Sequence, residues 1–174
     1  DSSFLIGFAA FLSGGARAAG SEGVGRFFAF GDVGTLLPPD ANGICLPPGF
    51  RSKIVARSGT SPVDGAQAWH GAPDGGGVFA QPDGGWIYVS NSEISGKGGV
   101  GALRFNSSGA LIDSYPILEN TSWNCAGGTT PWGTWLSCEE TRTGKVYECD
   151  PTGHAPAVAR PALGVFSHEA VAVD

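Results

Sequence analysis

An internal repeat constrains this chain more than any other feature. The stretch Gly85-Trp-Ile-Tyr-Val-Ser-Asn-Ser-Glu93 returns as Gly133-Thr-Trp-Leu-Ser-Cys-Glu-Glu140, each a hydrophobic, β-rich run ending in a carboxylate, with Glu93 and Glu140 47 residues apart. Downstream, Gly101-Ala-Leu-Arg-Phe-Asn-Ser-Ser-Gly109 matches Lys145-Val-Tyr-Glu-Cys-Asp-Pro-Thr-Gly153, with the final glycines 44 apart. Strand-only units at this spacing have the period of a propeller blade and not of a helical solenoid. Composition agrees: 29 glycines and 12 prolines against 15% charged residues suit short strands joined by tight turns and spoil helix interiors. The sequence therefore predicts an all-β fold.

Each unit also has an opening signature. Trp69-His70-Gly71 opens the first, Asn124-Cys125-Ala-Gly-Gly128 the second, and His168-Glu169-Ala-Val-Ala-Val-Asp174 begins a third. Cys125 and Glu169 are 44 residues apart, whereas His70 and Cys125 are 55 apart, which places an insertion in the first unit. Two complete blades and the start of a third fall short of the four to eight that close a ring, so the expectation is an incomplete β-propeller. Inner strands of successive blades run along a common channel, so residues in one phase converge there. His70, Cys125 and Glu169 form one such set, and Glu93 and Glu140 a second. Thiolate, imidazole and carboxylate together suit a transition metal, with further carboxylates available for calcium.

The charge balance narrows the partners. A formal net charge of -6 argues against nucleic acid, whose phosphates are held by clustered Lys and Arg. A phosphate substrate stays open, because bound cations can reverse a local field. Residues 1–20 read differently from residues 21–174, which form the partial propeller domain. Phe4–Leu12 is a short apolar run before Ala16-Arg-Ala-Ala19, which fits the remnant of an export signal or an N-terminal hydrophobic segment. Any membrane contact is expected only through that segment.

The block Asn124-Cys125-Ala-Gly-Gly-Thr-Thr-Pro-Trp-Gly-Thr-Trp-Leu-Ser-Cys-Glu-Glu140 resembles the signature of PhoX-type alkaline phosphatases. So do Pro73-Asp-Gly-Gly-Gly77, Asp83-Gly-Gly-Trp-Ile-Tyr-Val-Ser-Asn-Ser-Glu93 and Phe166-Ser-His-Glu-Ala170; the likeness runs from about Asn42 to Asp174. It implies a six-bladed ring, export in the folded state, and hydrolysis of phosphate monoesters with ferric and calcium ions in the channel. It implies an iron-binding thiolate at Cys125, a bridging or iron-binding carboxylate at Glu140, and Glu169 as the next metal ligand. The arginine that helps hold the phosphate would lie beyond Asp174, in later blades; another chain completing the ring is a separate expected partner. A twin arginine is absent near Ser2-Ser-Phe-Leu5. The alternatives are a non-enzymatic propeller segment acting as scaffold or subunit, and a calcium-dependent propeller lactonase, against which Cys125 argues because calcium prefers oxygen ligands.

Several other features read as structural. Ser95-Gly-Lys97-Gly-Gly-Val-Gly101 lacks the Lys-Ser or Lys-Thr of a phosphate loop and reads as a glycine-rich connection between strands. Asp74 and Asp83, each before Gly-Gly, read as turn residues, and Trp86, Tyr88, Trp132 and Trp135 as filling between blades. Lys53–Arg57 reads as a short strand. Cys138 and Cys149 are expected on one face of a hairpin around Thr141–Gly144, where they would form a disulfide or remain two buried thiols. Cys45 has no evident partner.

Overall fold

The computed structural model describes residues 35–174, so the reading of residues 1–20 lies outside the described residues. The described part divides between two compact units, one ending at Ile54 and one running Val55–Asp174. The first is organised by Asp40, whose Oδ1 accepts the backbone N–H groups of Asn42 (2.8 Å) and Ile44 (3.0 Å) while Oδ2 accepts the Ser52 hydroxyl. Lys53–Arg57, expected as a strand, joins no sheet: its residues find no ladder partner.

The second unit consists of two antiparallel four-stranded meanders. Sheet 1 holds β1 (Pro73–Ala80), β2 (Trp86–Ser92), β3 (Gly98–Phe105) and β4 (Leu111–Thr121) in chain order. Sheet 2 repeats the plan with β5 (Asn124–Thr129), β6 (Trp135–Glu139), β7 (Val146–Cys149) and β8 (Val158–Ala159). Among the described residues the one helical element is a 3-10 turn at Pro161–Leu163, and no helix is long and apolar enough to cross a membrane. The turns follow local chemistry. Asp83 Oδ1 accepts the Gly85 N–H (2.9 Å) in the β1–β2 turn, where Gly84 takes φ 80°, a conformation open to glycine. Asp83 is thus the turn residue expected; of the stretch read as a glycine-rich connection, Ser95–Lys97 lead from β2 into β3, whereas Gly98–Gly101 already belong to β3.

The alternation along β2 sorts its side chains between two cores. Ile87 and Val89 join Phe79, Val100, Ala102, Ile117, Trp135 and Cys149 in the layer between the sheets. Trp86 and Tyr88 turn to the other face, against Trp69, Leu103 and Phe105. Sheet 2 repeats this: Trp135 points toward sheet 1, while Leu136 and Cys138 point away and meet Val171 and Val173. Of the aromatics expected between blades, Trp135 packs between the two sheets, Trp86 and Tyr88 pack instead on the face of sheet 1 turned away from sheet 2, and Trp132 is left outside both cores. It sits at the tip of the β5–β6 turn, 62% exposed, with its indole N–H donating to Glu148 Oε1 at 2.6 Å.

The expected Cys138–Cys149 neighbourhood is corrected by register. Cys138 pairs with Val146 and Cys149 with Trp135, three rungs apart. An odd offset places the two side chains on opposite faces of the sheet. Both thiols are free and buried, one in each core layer.

Candidate metal centre

The two sheets present the same local device at the same end. Ladder pairing of β1 with β2 is interrupted between Pro73 and Gly76, and that of β5 with β6 between Asn124 and Gly127. A bulge of this kind re-aims the side chains within it, and such bulges are common beside functional sites. Asp74 occupies the first bulge and Cys125 the second. Immediately ahead of each, a non-glycine residue takes a left-handed conformation, Ala72 at φ 42° and Trp123 at φ 53°. Such a residue is costly unless its surroundings hold it. Here they do: the backbone N–H of Glu93 donates to the Ala72 carbonyl (2.9 Å), and that of Glu140 to the Trp123 carbonyl (2.8 Å). Each sheet so couples a bulge residue on its first strand to a glutamate just past its second.

The side chains converge. One donor atom each from Asp74, Glu93 and Cys125 lies within 4.8 Å of the others, and Cys125, Glu140 and Glu169 form a second such group. Cys125 belongs to both. Its Sγ lies 3.6 Å from Asp74 Oδ2 and 3.3 Å from Glu169 Oε1. Cys125 itself is buried; Asp74 and Glu93 are half-buried, and Glu140 and Glu169 are exposed. The segment bearing Glu169 runs alongside β5, where the Ala126 N–H donates to the Glu169 carbonyl (3.1 Å).

This concentration of acid has electrostatic consequences. Burial pushes the Glu93 carboxyl above the ordinary glutamate value, and the charges of Asp74, Glu140 and Glu169 push it further. The Cys125 thiol is pushed well up by burial first, then by its hydrogen bond to Glu169 and by the neighbouring carboxylates. Like charges this close disfavour joint ionisation, and a multivalent cation relieves that repulsion. The donor set fits such an ion: the carboxylates suit calcium, and the thiolate requires a softer transition metal beside them.

Of the residues singled out in the sequence, Cys125, Glu140 and Glu169 share one group, and Glu93 stands with Cys125 in the other. His70 belongs to neither. Its ring tilts against Trp69 at 4.2 Å between centroids, its Nδ1 lies 3.1 Å from the Gly71 carbonyl, and burial lowers its affinity for a proton. Asp74 was the residue missed. Read as a turn, it lies instead in β1, at the rung matching Cys125 in β5. The signal was present: Pro73-Asp-Gly-Gly-Gly77 aligns on Asn124-Cys-Ala-Gly-Gly128, four residues later than the alignment on His70. Glu139, adjacent to Glu140, has a different task. Its buried carboxylate accepts the backbone N–H groups of Ser122 (2.9 Å) and Lys145 (3.0 Å) and so fixes the loops around the cluster.

A family model for alkaline phosphatase PhoX matches residues 89–174. The chain belongs to the PhoX family. The match spans Glu93, Cys125, Glu140 and Glu169, whereas Asp74 and His70 precede it. No curated protein and no solved structure matches the chain. For a PhoX-type chain the metal-dependent chemistry of the family and the acid–thiol groups point the same way.

Proposed function

We propose that this PhoX-type chain forms part of a β-propeller that hydrolyses phosphate monoesters at a cluster of iron and calcium ions in its central channel. The observation that carries the reading is Cys125, buried and shared between two groups of carboxylates, within a chain of the PhoX family. Two meanders with their first strands side by side, followed by a third segment along β5, agree with consecutive blades around an axis. Ring closure takes four or more such sheets, supplied by this or another chain.

In this reading Cys125, Glu140 and Glu169 hold iron, and Asp74 and Glu93 hold a neighbouring cation. When bound, such cations draw charge from the phosphoryl oxygens and from the leaving oxygen. The chain's own work is to hold five ligands at fixed positions through the paired bulges, so that little reorganisation accompanies substrate binding. An acidic protein with a formal charge of -6 would otherwise repel a phosphate dianion. Export to the periplasm or beyond belongs to the same proposal, in line with the family.

The test is phosphate release from a chromogenic aryl phosphate monoester by the assembled protein supplied with Fe3+ and Ca2+. Cys125→Ala and Glu140→Ala should each abolish metal-dependent turnover while leaving the fold intact by circular dichroism. Parent-level turnover in either variant contradicts the assignment. Metal analysis gives a second reading: iron with calcium supports the phosphatase, and calcium alone supports the lactonase or scaffold.

A further inference from the structure

We infer that Asn91 is a positioning residue for Cys125, acting from the neighbouring sheet; the inference rests on the metal-cluster reading above. Asn91 is fully buried near the end of β2, on the face turned toward sheet 2. Its Nδ2 donates to two backbone carbonyls, those of Cys125 (3.2 Å) and Ala126 (2.8 Å). Its Oδ1 accepts the indole N–H of Trp135 (2.9 Å) and the Ser137 hydroxyl (3.0 Å). The amide thereby uses both donors and both acceptor sites, the full capacity of an asparagine side chain.

The gripped carbonyls are informative. Cys125 and Ala126 are the residues at which β5 loses its ladder with β6, between the paired positions Asn124 and Gly127. Buried carbonyls freed by a bulge need other donors, and Asn91 supplies them. The backbone bearing the shared ligand atom is thus fixed by a rigid amide and not by its own sheet. The matching bulge in sheet 1 is held more lightly, by a single Ser90 hydroxyl donating to the Asp74 carbonyl at 3.2 Å. The rung of sheet 2 equivalent to Asn91 carries Cys138, which packs against Val171 and Val173 and cannot reproduce a double amide clamp. Among the two sheets, then, the clamp is confined to the strand that carries the thiol.

Ligand-orienting partners of this kind typically alter metal affinity about 10–100-fold when removed. Co2+ serves as the probe, because a cobalt–thiolate bond gives a charge-transfer absorption that reports Cys125 directly. Asn91→Ala should weaken Co2+ binding by about tenfold or more and diminish that band. Ser137→Ala is the control: it removes the donation to Asn91 Oδ1 and the acceptor of Asn124 Nδ2 (2.9 Å) from the same buried network but leaves both Asn91 donations to β5, and should keep the band. If Asn91→Ala does not melt cooperatively, Asn91→Asp carries the same comparison, since it keeps the acceptor for Trp135 and Ser137 and replaces the donor pair. An Asn91 variant that binds Co2+ with the parent's affinity and band overturns the inference. So does a Ser137→Ala variant that loses the band in the same proportion, which would make the effect one of general packing. A parent protein without any thiolate band fails the metal-cluster reading itself, a result recognisable because Asn91 is intact there.

Discussion

Glu93 shares its surroundings with Asp74, Glu140 and Glu169, and burial together with their charge raises its carboxyl above the ordinary value of 4.5. A group raised in the folded state holds its proton more tightly there than in the unfolded chain. Its contribution to stability is complete below about pH 4.5 and is lost as pH climbs through the raised value. Without cations, Glu93→Gln should therefore melt above the parent at pH 7 and lose part of the parent's decline with pH. The same variant should gain less melting temperature from added Ca2+ or Fe3+, because a ligand stabilises only through its affinity for the folded state. Calorimetry across pH checks both, and a Glu93→Gln protein that melts below the parent at pH 7 contradicts the crowding. The thiols give an independent test. Burial, followed by the charge of Glu169, raises Cys138 to about 11, and burial, followed by the charge of Glu148, raises Cys149 to about 12. Neither offers thiolate at pH 8. Iodoacetamide should then modify exposed Cys45 in the native protein and reach Cys138 and Cys149 only after unfolding, as read by peptide mass mapping. Modification of either at the rate of Cys45 contradicts the placement.

The elements owe their close approach to glycine. A Cβ on Gly127 would meet the Leu136 carbonyl and the Trp135 ring, and one on Gly128 the Val171 carbonyl. Gly127→Ala should cost about 1–3 kcal/mol, the usual penalty of overpacking, measured by denaturant unfolding; an unchanged midpoint contradicts the packing. Strand positions, the repeat and the nearness of Cys125 to Glu169 are written in hydrophobic runs and fixed spacings, which chain geometry converts directly into sheets; Glu140, set beside Glu93 by spacing, joins Cys125 and Glu169 instead, as the family resemblance implies. Ligand phase is written less plainly. The bulge inserts one residue into the first strand of each sheet, and the aromatic Trp69-His70 pair drew the alignment four residues early, away from Asp74. The Cys138–Cys149 error has the same origin: the β6–β7 turn fixes a register three rungs from the one that would make them partners, and turn length alone did not reveal it.

At the scale of the molecule, two sheets of one plan lie together with their ligand-bearing ends aligned. The layer between them contains Phe79, Ile87, Val89 and Trp135, and the acid–thiol groups sit at one end of it. The outer surface of this unit still carries exposed apolar side chains, among them Leu163, Val165 and Phe166, on the segment leading to Glu169. In the propeller proposed above, such a surface would pack against a further sheet. The central claim, that the convergent donors grip cations, is tested most directly by anomalous diffraction from crystals of the assembled protein grown with iron and calcium. The account predicts an iron peak bonded to Cys125 Sγ, about 2.3 Å away as for other metal–thiolate bonds, with carboxylate oxygens of Glu140 and Glu169 on the same ion. Iron bound elsewhere, with Cys125 unligated and the carboxylates turned to solvent, would contradict it.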